Sequence, residues 1–136
     1  MRTIEIDAAS VAEASGLLPG DGPVFILNLL RYKEQADYND RADAAPCSGR
    51  EAFHERYVPV FNQIADAGAR PVWVGAALAR LVGPADELWD DVAIVEYPSF
   101  AAFRRVVDSE EYRTEAAPHR LAALEDCRLI AMTKLL

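Results

Sequence analysis

Val24-Phe25-Ile26-Leu27-Asn28-Leu29-Leu30 is an apolar run interrupted by one asparagine and preceded by the turn cluster Gly20-Asp21-Gly22-Pro23. A short segment that is apolar on both faces and bounded by turn residues reads as a central strand, covered on both sides. Val92-Ala93-Ile94-Val95-Glu96-Tyr97, closed by Pro98, repeats the pattern with one glutamate as its polar exception. Two strands of this kind in one short chain point to a sheet with this pair at its centre. The segments around them decide how the pair is connected.

After the first strand, residues 32–47 lose periodicity, with Lys33, Glu34, Asp37, Asp40, Arg41 and Asp43 among them. So long a connection reads as a solvated loop, or as a lid or arm. Ser48-Gly49-Arg50-Glu51 then has the form of a capping box, and Phe53, Tyr57, Phe61 and Ile64 recur at helical spacing. Gly68 is the expected stop, and Pro59, inside the helix, should bend it. Residues 71–82 read as one long strand, with a bulge at Gly75. Ser99 caps a second helix, interrupted at Asp108-Ser109 and broken again at Pro118, which runs to about Glu125. Leu129 to Thr133 supply the last strand. A short helix from Asp7 to Leu18 stands ahead of this series. The order is βαββαβ behind a leading helix, an α+β class chain that matches the ferredoxin-like split βαβ arrangement. The first and third strands are expected as a parallel central pair. We take residues 1–136 as a single domain, with 1–22 as an N-terminal extension and 23–134 as the core.

Both crossovers in this topology lie on one face of the sheet, and the other face is apolar too. A monomer would leave it wet, so a homodimer with two sheets face to face, a dimeric α+β barrel, is expected. Fourteen basic and 22 acidic residues give a net charge of −8, which argues against nucleic acid or an anionic membrane as partner. No apolar run reaches a membrane span, and the acids of Met1-Arg2-Thr3-Ile4-Glu5-Ile6-Asp7 do not suit a signal peptide, so a cytoplasmic location is expected. Cys47 and Cys127 give no disulfide framework. His54 and His119 form no metal-binding spacing, no phosphate loop precedes a helix, and no GxSxG elbow is present. The sequence therefore calls for no metal and no cofactor.

Leu27-Asn28-Leu29-Leu30-Arg31-Tyr32, Val95-Glu96-Tyr97-Pro98-Ser99 and the closing run His119-Arg120-Leu121-Ala122-Ala123-Leu124-Glu125-Asp126-Cys127-Arg128-Leu129-Ile130 resemble the dimeric α+β-barrel proteins catalogued as domain of unknown function thirteen-thirty. The resemblance spans about residues 23–134 and implies a ferredoxin-like subunit and a homodimer, with no established activity. Where that family often carries Gly-Gly after the first helix, this chain has Gly68-Ala69. Related folds in the wider superfamily include cofactor-free monooxygenases and muconolactone-type isomerases with pockets between sheet and helices.

Asn28 and Glu96 are the polar exceptions of neighbouring strands. A buried carboxylate needs a partner or a raised pKa. Glu96 is therefore either a pocket acid or base beside Asn28, or half of an ion pair with Arg31 or Arg104. His119 reads either as a surface or capping histidine or, given its place in the segment that carries the resemblance, as a catalytic acid or base. Arg120 or Arg31 would hold a substrate anion. Tyr57, Trp73, Tyr97 and Tyr32 either line a cavity or fill the core. His54, one residue past the Phe53 core position, reads as surface. These residues fit a small-molecule-binding protein, a cofactor-free isomerase or monooxygenase acting on an apolar carbonyl- or phenol-bearing metabolite. The alternative is a noncatalytic dimeric binding module.

Overall fold

The computed structural model describes residues 2–39 and 44–136. Its elements are α1 (Ala8–Leu17), β1 (Val24–Tyr32), α2 (Gly49–Glu51), a π-helical segment (Ala52–Tyr57), α3 (Val58–Ala65), β2 (Arg70–Ala76), β3 (Asp91–Tyr97), α4 (Phe100–Val107), a second π-helical segment (Tyr112–Ala116), α5 (Ala117–Ala123) and β4 (Leu124–Met132). The four strands form one sheet in the order β2-β3-β1-β4, the ferredoxin-like arrangement behind its leading helix. β1 and β3 are central as expected, but they run antiparallel, with Asn28 opposite Ala93 and Leu30 opposite Asp91. The reason is connectivity. A helical crossover brings β2 back parallel to β1, and the antiparallel β2–β3 pairing then reverses the chain once more.

The caps form where the side chains dictate. Asp7 accepts from the Ser10 amide, Ser99 from the Ala102 amide, and Ser48 and Glu51 close a reciprocal box at 2.9 and 3.1 Å. Pro59 and Pro118 act differently from a simple bend. A proline inside a helix removes an amide donor and crowds the preceding turn. Here each wide turn comes immediately before the proline. The Val58 amide reaches back to the Phe53 carbonyl, and the Ala117 amide to the Tyr112 carbonyl, both one residue further than an α-helix allows.

Several boundaries differ from the periodicity. The first crossover stops at Ala65, and Asp66 and Ala67 take the left-handed conformation (φ 47° and 65°) expected of Gly68. Gly68 is required for a different reason: a Cβ there would lie 2.8 Å from the Ala65 carbonyl oxygen. β2 ends at Ala76, so residues 77–82 leave the sheet as an exposed apolar arm rather than extending the strand. The bulge falls at Val72, not Gly75, whose missing side chain makes room for the Trp73 ring. The last strand begins at Leu124, directly after α5, where helical residues were expected.

One sheet face packs against the helices through Val24, Ile26 and Leu30 of β1 and Tyr97 of β3. Pleat alternation puts Phe25, Leu27, Leu29, Ile94 and Ile130 on the opposite face. Two buried clusters form the interior. The first gathers Leu30, Phe53, Tyr57, Tyr112, Leu124 and Cys127, and the second Val11, Val24, Ile26, Tyr97, Phe100 and Phe103. At the junction of β1, α2 and α5, Gly49 is wedged so tightly that a Cβ would lie 2.5 Å from the Ala123 carbonyl oxygen and closer still to that of Lys33. Both contacts are with backbone, which cannot swing away. Gly49→Ala should therefore lower stability by roughly 1–3 kcal/mol, read as a fall in melting temperature of about 4–12 °C. An unchanged melting temperature would show that this junction is slack.

Candidate functional site

The seam between the two clusters is not filled. A cavity of about 260 Å³ lies between the helices and the inner sheet face, bounded by side chains of β1, β3, both π-helical segments and α5. At roughly 30 Å³ per water-sized group, it has room for about nine of them. Most of its wall is apolar, from Ile26, Leu30, Phe53, Phe61, Val95 and Phe103 among others.

Its polar groups fall into two sets. In the first, the two π-helical segments bring Tyr57 and Tyr112 together with their hydroxyls 2.9 Å apart. Burial pushes both phenols above their ordinary pKa, so both stay protonated; one hydroxyl donates to the other, and the pair has one proton left to give. Arg120, 5% exposed, also lines this cavity. Its Nη1 donates to the Ile4 carbonyl oxygen and its Nη2 to Cys127 Sγ at 3.0 Å. Among the described residues, no carboxylate lies within ion-pair distance of it. Burial works against the guanidinium charge; Cys127, Tyr112 and Tyr57 raise its pKa only where they themselves ionise, at high pH, and at neutral pH all three are uncharged. The same burial raises the pKa of the Cys127 thiol, against the pull of Arg120, and keeps it protonated. Asn28 donates both amide hydrogens to the Ile26 and Ala93 carbonyls, leaving Oδ1 as an acceptor.

The second set stands at the mouth. Asp91, at the start of β3, has a side chain only 10% exposed. Its Oδ2 accepts from Tyr32 Oη at 2.7 Å and Arg50 Nη1 at 2.7 Å, with His54 Nε2 3.2 Å away. Tyr32 Oη is also 2.9 Å from His54 Nε2. The single Tyr32 proton is given to Asp91, so the phenol oxygen can only accept from the histidine. Nε2 therefore carries the hydrogen, and Nδ1 of a neutral His54 is left as a lone pair. Desolvation pushes the Asp91 carboxyl up, but hydrogen bonds from Tyr32, His54 and Arg50 outweigh it and hold the group below the ordinary carboxylate range. Burial, with the Asp91 hydrogen bond behind it, raises the Tyr32 phenol well above its usual value.

Of the residues singled out in the sequence, Asn28, Tyr57, Tyr97 and Arg120 share this cavity. Four others do not. Glu96 lies opposite Phe25 in the β1–β3 register, on the face away from the helices, and pairs with Arg70 at 2.5 Å rather than with Arg31 or Arg104. A shift of one residue along a strand reverses the face, which separates Glu96 from Asn28. Arg31 and Trp73 occupy that outer face for the same reason, Trp73 with 55% exposure. His119 turns outward from α5, where its Nδ1 is 2.7 Å from Tyr38 Oη and its ring meets Tyr38 edge-on. Tyr38 belongs to the long connection after β1, whose described part is docked by Ala36 on Cys47 and Asp37 on Ala122; residues 40–43 lie outside the described part. His54, Asp91 and Tyr112 were missed as site residues. The available signal was the pair of in-helix prolines, which announces two irregular turns.

Two solved structures match this chain from end to end. The methylated RPA0582 protein is 36% identical with a TM-score of 0.85, over 99% of this chain and 96% of its own. RPA0582, a protein of unknown function from Rhodopseudomonas palustris, is 37% identical in a second structure with a TM-score of 0.81, over 100% and 99% of the two chains. No family model and no curated protein matches.

The depressed Asp91 group makes a pH prediction. Its folded pKa lies below the unfolded value of about 3.8, so its stabilising effect is complete above that pH and is lost as pH falls through the folded value. Asp91→Asn should melt below the wild type at pH 7, and the gap should close on acidification below about 4. A gap that stays constant from pH 7 to pH 3 would refute the role given to the carboxylate.

Proposed function

The chain belongs to the family of the RPA0582 protein of Rhodopseudomonas palustris, and on that premise we propose that it binds a small apolar molecule carrying an anionic oxygen. The observation that carries this reading is Arg120. Among the described residues this deeply buried guanidinium donates to a carbonyl and a thiol and meets no carboxylate to offset a desolvation cost of several kcal/mol. A ligand oxyanion would supply the missing charge, with the Tyr57–Tyr112 pair as a neutral donor, Asn28 and Tyr97 beside it, and an apolar wall for the rest of the molecule. Cofactor-free isomerisation and cofactor-free oxygenation of a carbonyl- or phenol-bearing compound both begin by forming such an anion. The site suits that shared first step.

The same reading includes a homodimer. The outer sheet face is apolar, and Leu78, Leu81 and Val82 of the 77–82 arm are each more than 90% exposed. A second copy, sheet against sheet with arms exchanged, covers both. The Tyr97-Pro98-Ser99 strand end and the 119–130 segment support kinship with the domain of unknown function thirteen-thirty proteins. A single domain without nucleic-acid or membrane partners completes the proposal.

Titration calorimetry with phenylacetate and its neutral counterpart phenylacetamide tests the cavity. Phenylacetate should bind at least tenfold more tightly, and Arg120→Met, checked for folding by circular dichroism, should remove the preference. Equal affinity for the two probes, or binding of neither, would defeat the proposal. Light scattering at micromolar concentration should give twice the 15.0 kDa chain mass. A stable monomer would overturn the dimer.

A further inference from the structure

We infer that His54 is the acid–base group of this cavity, and that the molecule it acts on is a carbonyl compound with an acidic C–H beside the carbonyl, an α-keto acid with an apolar substituent. This rests on the cavity reading above and gives it a reaction.

The placement is specific. His54 stands on the first π-helical segment, five residues before Pro59, and lines the cavity while 41% of its side chain meets solvent. Its ring is fixed edge-on by Tyr32 and Phe53, at centroid distances of 5.6 and 5.5 Å. Tyr32 and Asp91 occupy Nε2, which orients the ring and fixes the tautomer, and Arg50 pairs with the same Asp91 oxygen. Arg50 also lies over the Tyr32 ring, 4.8 Å from its centroid. An imidazole held at one nitrogen by a carboxylate and left basic at the other is an arrangement for moving protons. Tyr32, Asp91 and Arg50 are positioning residues.

The same cavity supplies what such a base needs. When Nδ1 takes the proton from carbon, the C–H electron pair moves into a new C=C bond and the carbonyl pair moves onto oxygen, giving an enolate. An α-keto acid sets that oxygen beside its carboxylate, two adjacent acceptors for one guanidinium, and Arg120 with the Tyr57–Tyr112 pair stands there. The imidazolium then returns a proton to carbon or to oxygen. The product is a tautomer of the starting molecule, with nothing oxidised or reduced.

The probe is phenylpyruvate, an α-keto acid with an apolar ring and an acidic methylene beside its carbonyl. Incorporation of deuterium at its methylene carbon in D2O is followed by proton NMR with the full-length protein. Wild type should exceed buffer at the same pH by at least about 100-fold. His54→Ala, at a partly exposed position, should keep its fold and its phenylpyruvate affinity within about threefold, lose the exchange, and regain part of it with added imidazole. His54→Gln should stay inactive without rescue. Rescue by imidazole is a response that a purely structural histidine would not show. Absence of exchange by the wild type, or full exchange by His54→Ala, overturns the assignment of His54. Whether the cavity reading falls with it is decided separately by the phenylacetate titration.

Discussion

A proline in the middle of each helical crossover is the constraint from which this interior follows. Neither Pro59 nor Pro118 can donate an amide hydrogen, and each ring crowds the turn before it. The chain answers both times in the same way, with one wide turn closed by the residue just before the proline. Those wide turns face each other over the sheet, and each lends a tyrosine to the contact between Tyr57 and Tyr112. Two phenols hydrogen-bonded to one another occupy the centre where two aliphatic side chains would interlock. The centre therefore stays polar and incompletely filled. Local backbone chemistry, through packing, produces the cavity.

The charge distribution acts in two directions. The chain carries a net −8, so its long-range field repels anions before they arrive. The cavity holds the opposite sign, with Arg120 buried and Arg50 at the mouth balanced by Asp91. At physiological ionic strength the outer field is screened within about 8 Å, whereas the buried guanidinium is screened far less. On the proposed reading, such a molecule would discriminate by desolvation. A highly hydrated anion gains little on entering, and one with an apolar body gains from the walls as well as from the charge.

How much of this could be read from residue order depends on the kind of signal involved. The central strands, the Ser48 and Ser99 caps and the βαββαβ order were legible because each rests on nearest-neighbour chemistry: turn residues, capping oxygens, apolar runs. The direction of β3 relative to β1 was not, since it follows from counting reversals through β2. Nor was the separation of Asn28 from Glu96. Both are lone polar residues in central strands, but sheet register decides which face each one takes, and register is not a local property. Asn28, Arg120, Tyr57 and Tyr97, expected to bind a ligand, do line the cavity. His54 was lost because α-helical spacing was assumed through a turn that is not α-helical. Asp91 was lost because a carboxylate at a strand start looks like ordinary solvated charge until Tyr32, Arg50 and His54 are placed around it.

The wide turns also change how related chains must be compared. A π-helical turn holds one residue more than an α-helix would use for the same stretch. A relative lacking one residue between the Ser48 cap and Pro59 would wind a regular helix over the same span. The helix on either side of the turn would then keep its place, and only the residues inside the turn would change direction. Such a deletion would pass in an alignment as a trivial gap. In space it would keep Phe61 on the sheet while swinging the position of His54 off Asp91, so one codon lost in a helix could silence the mouth of the cavity without altering any residue in it.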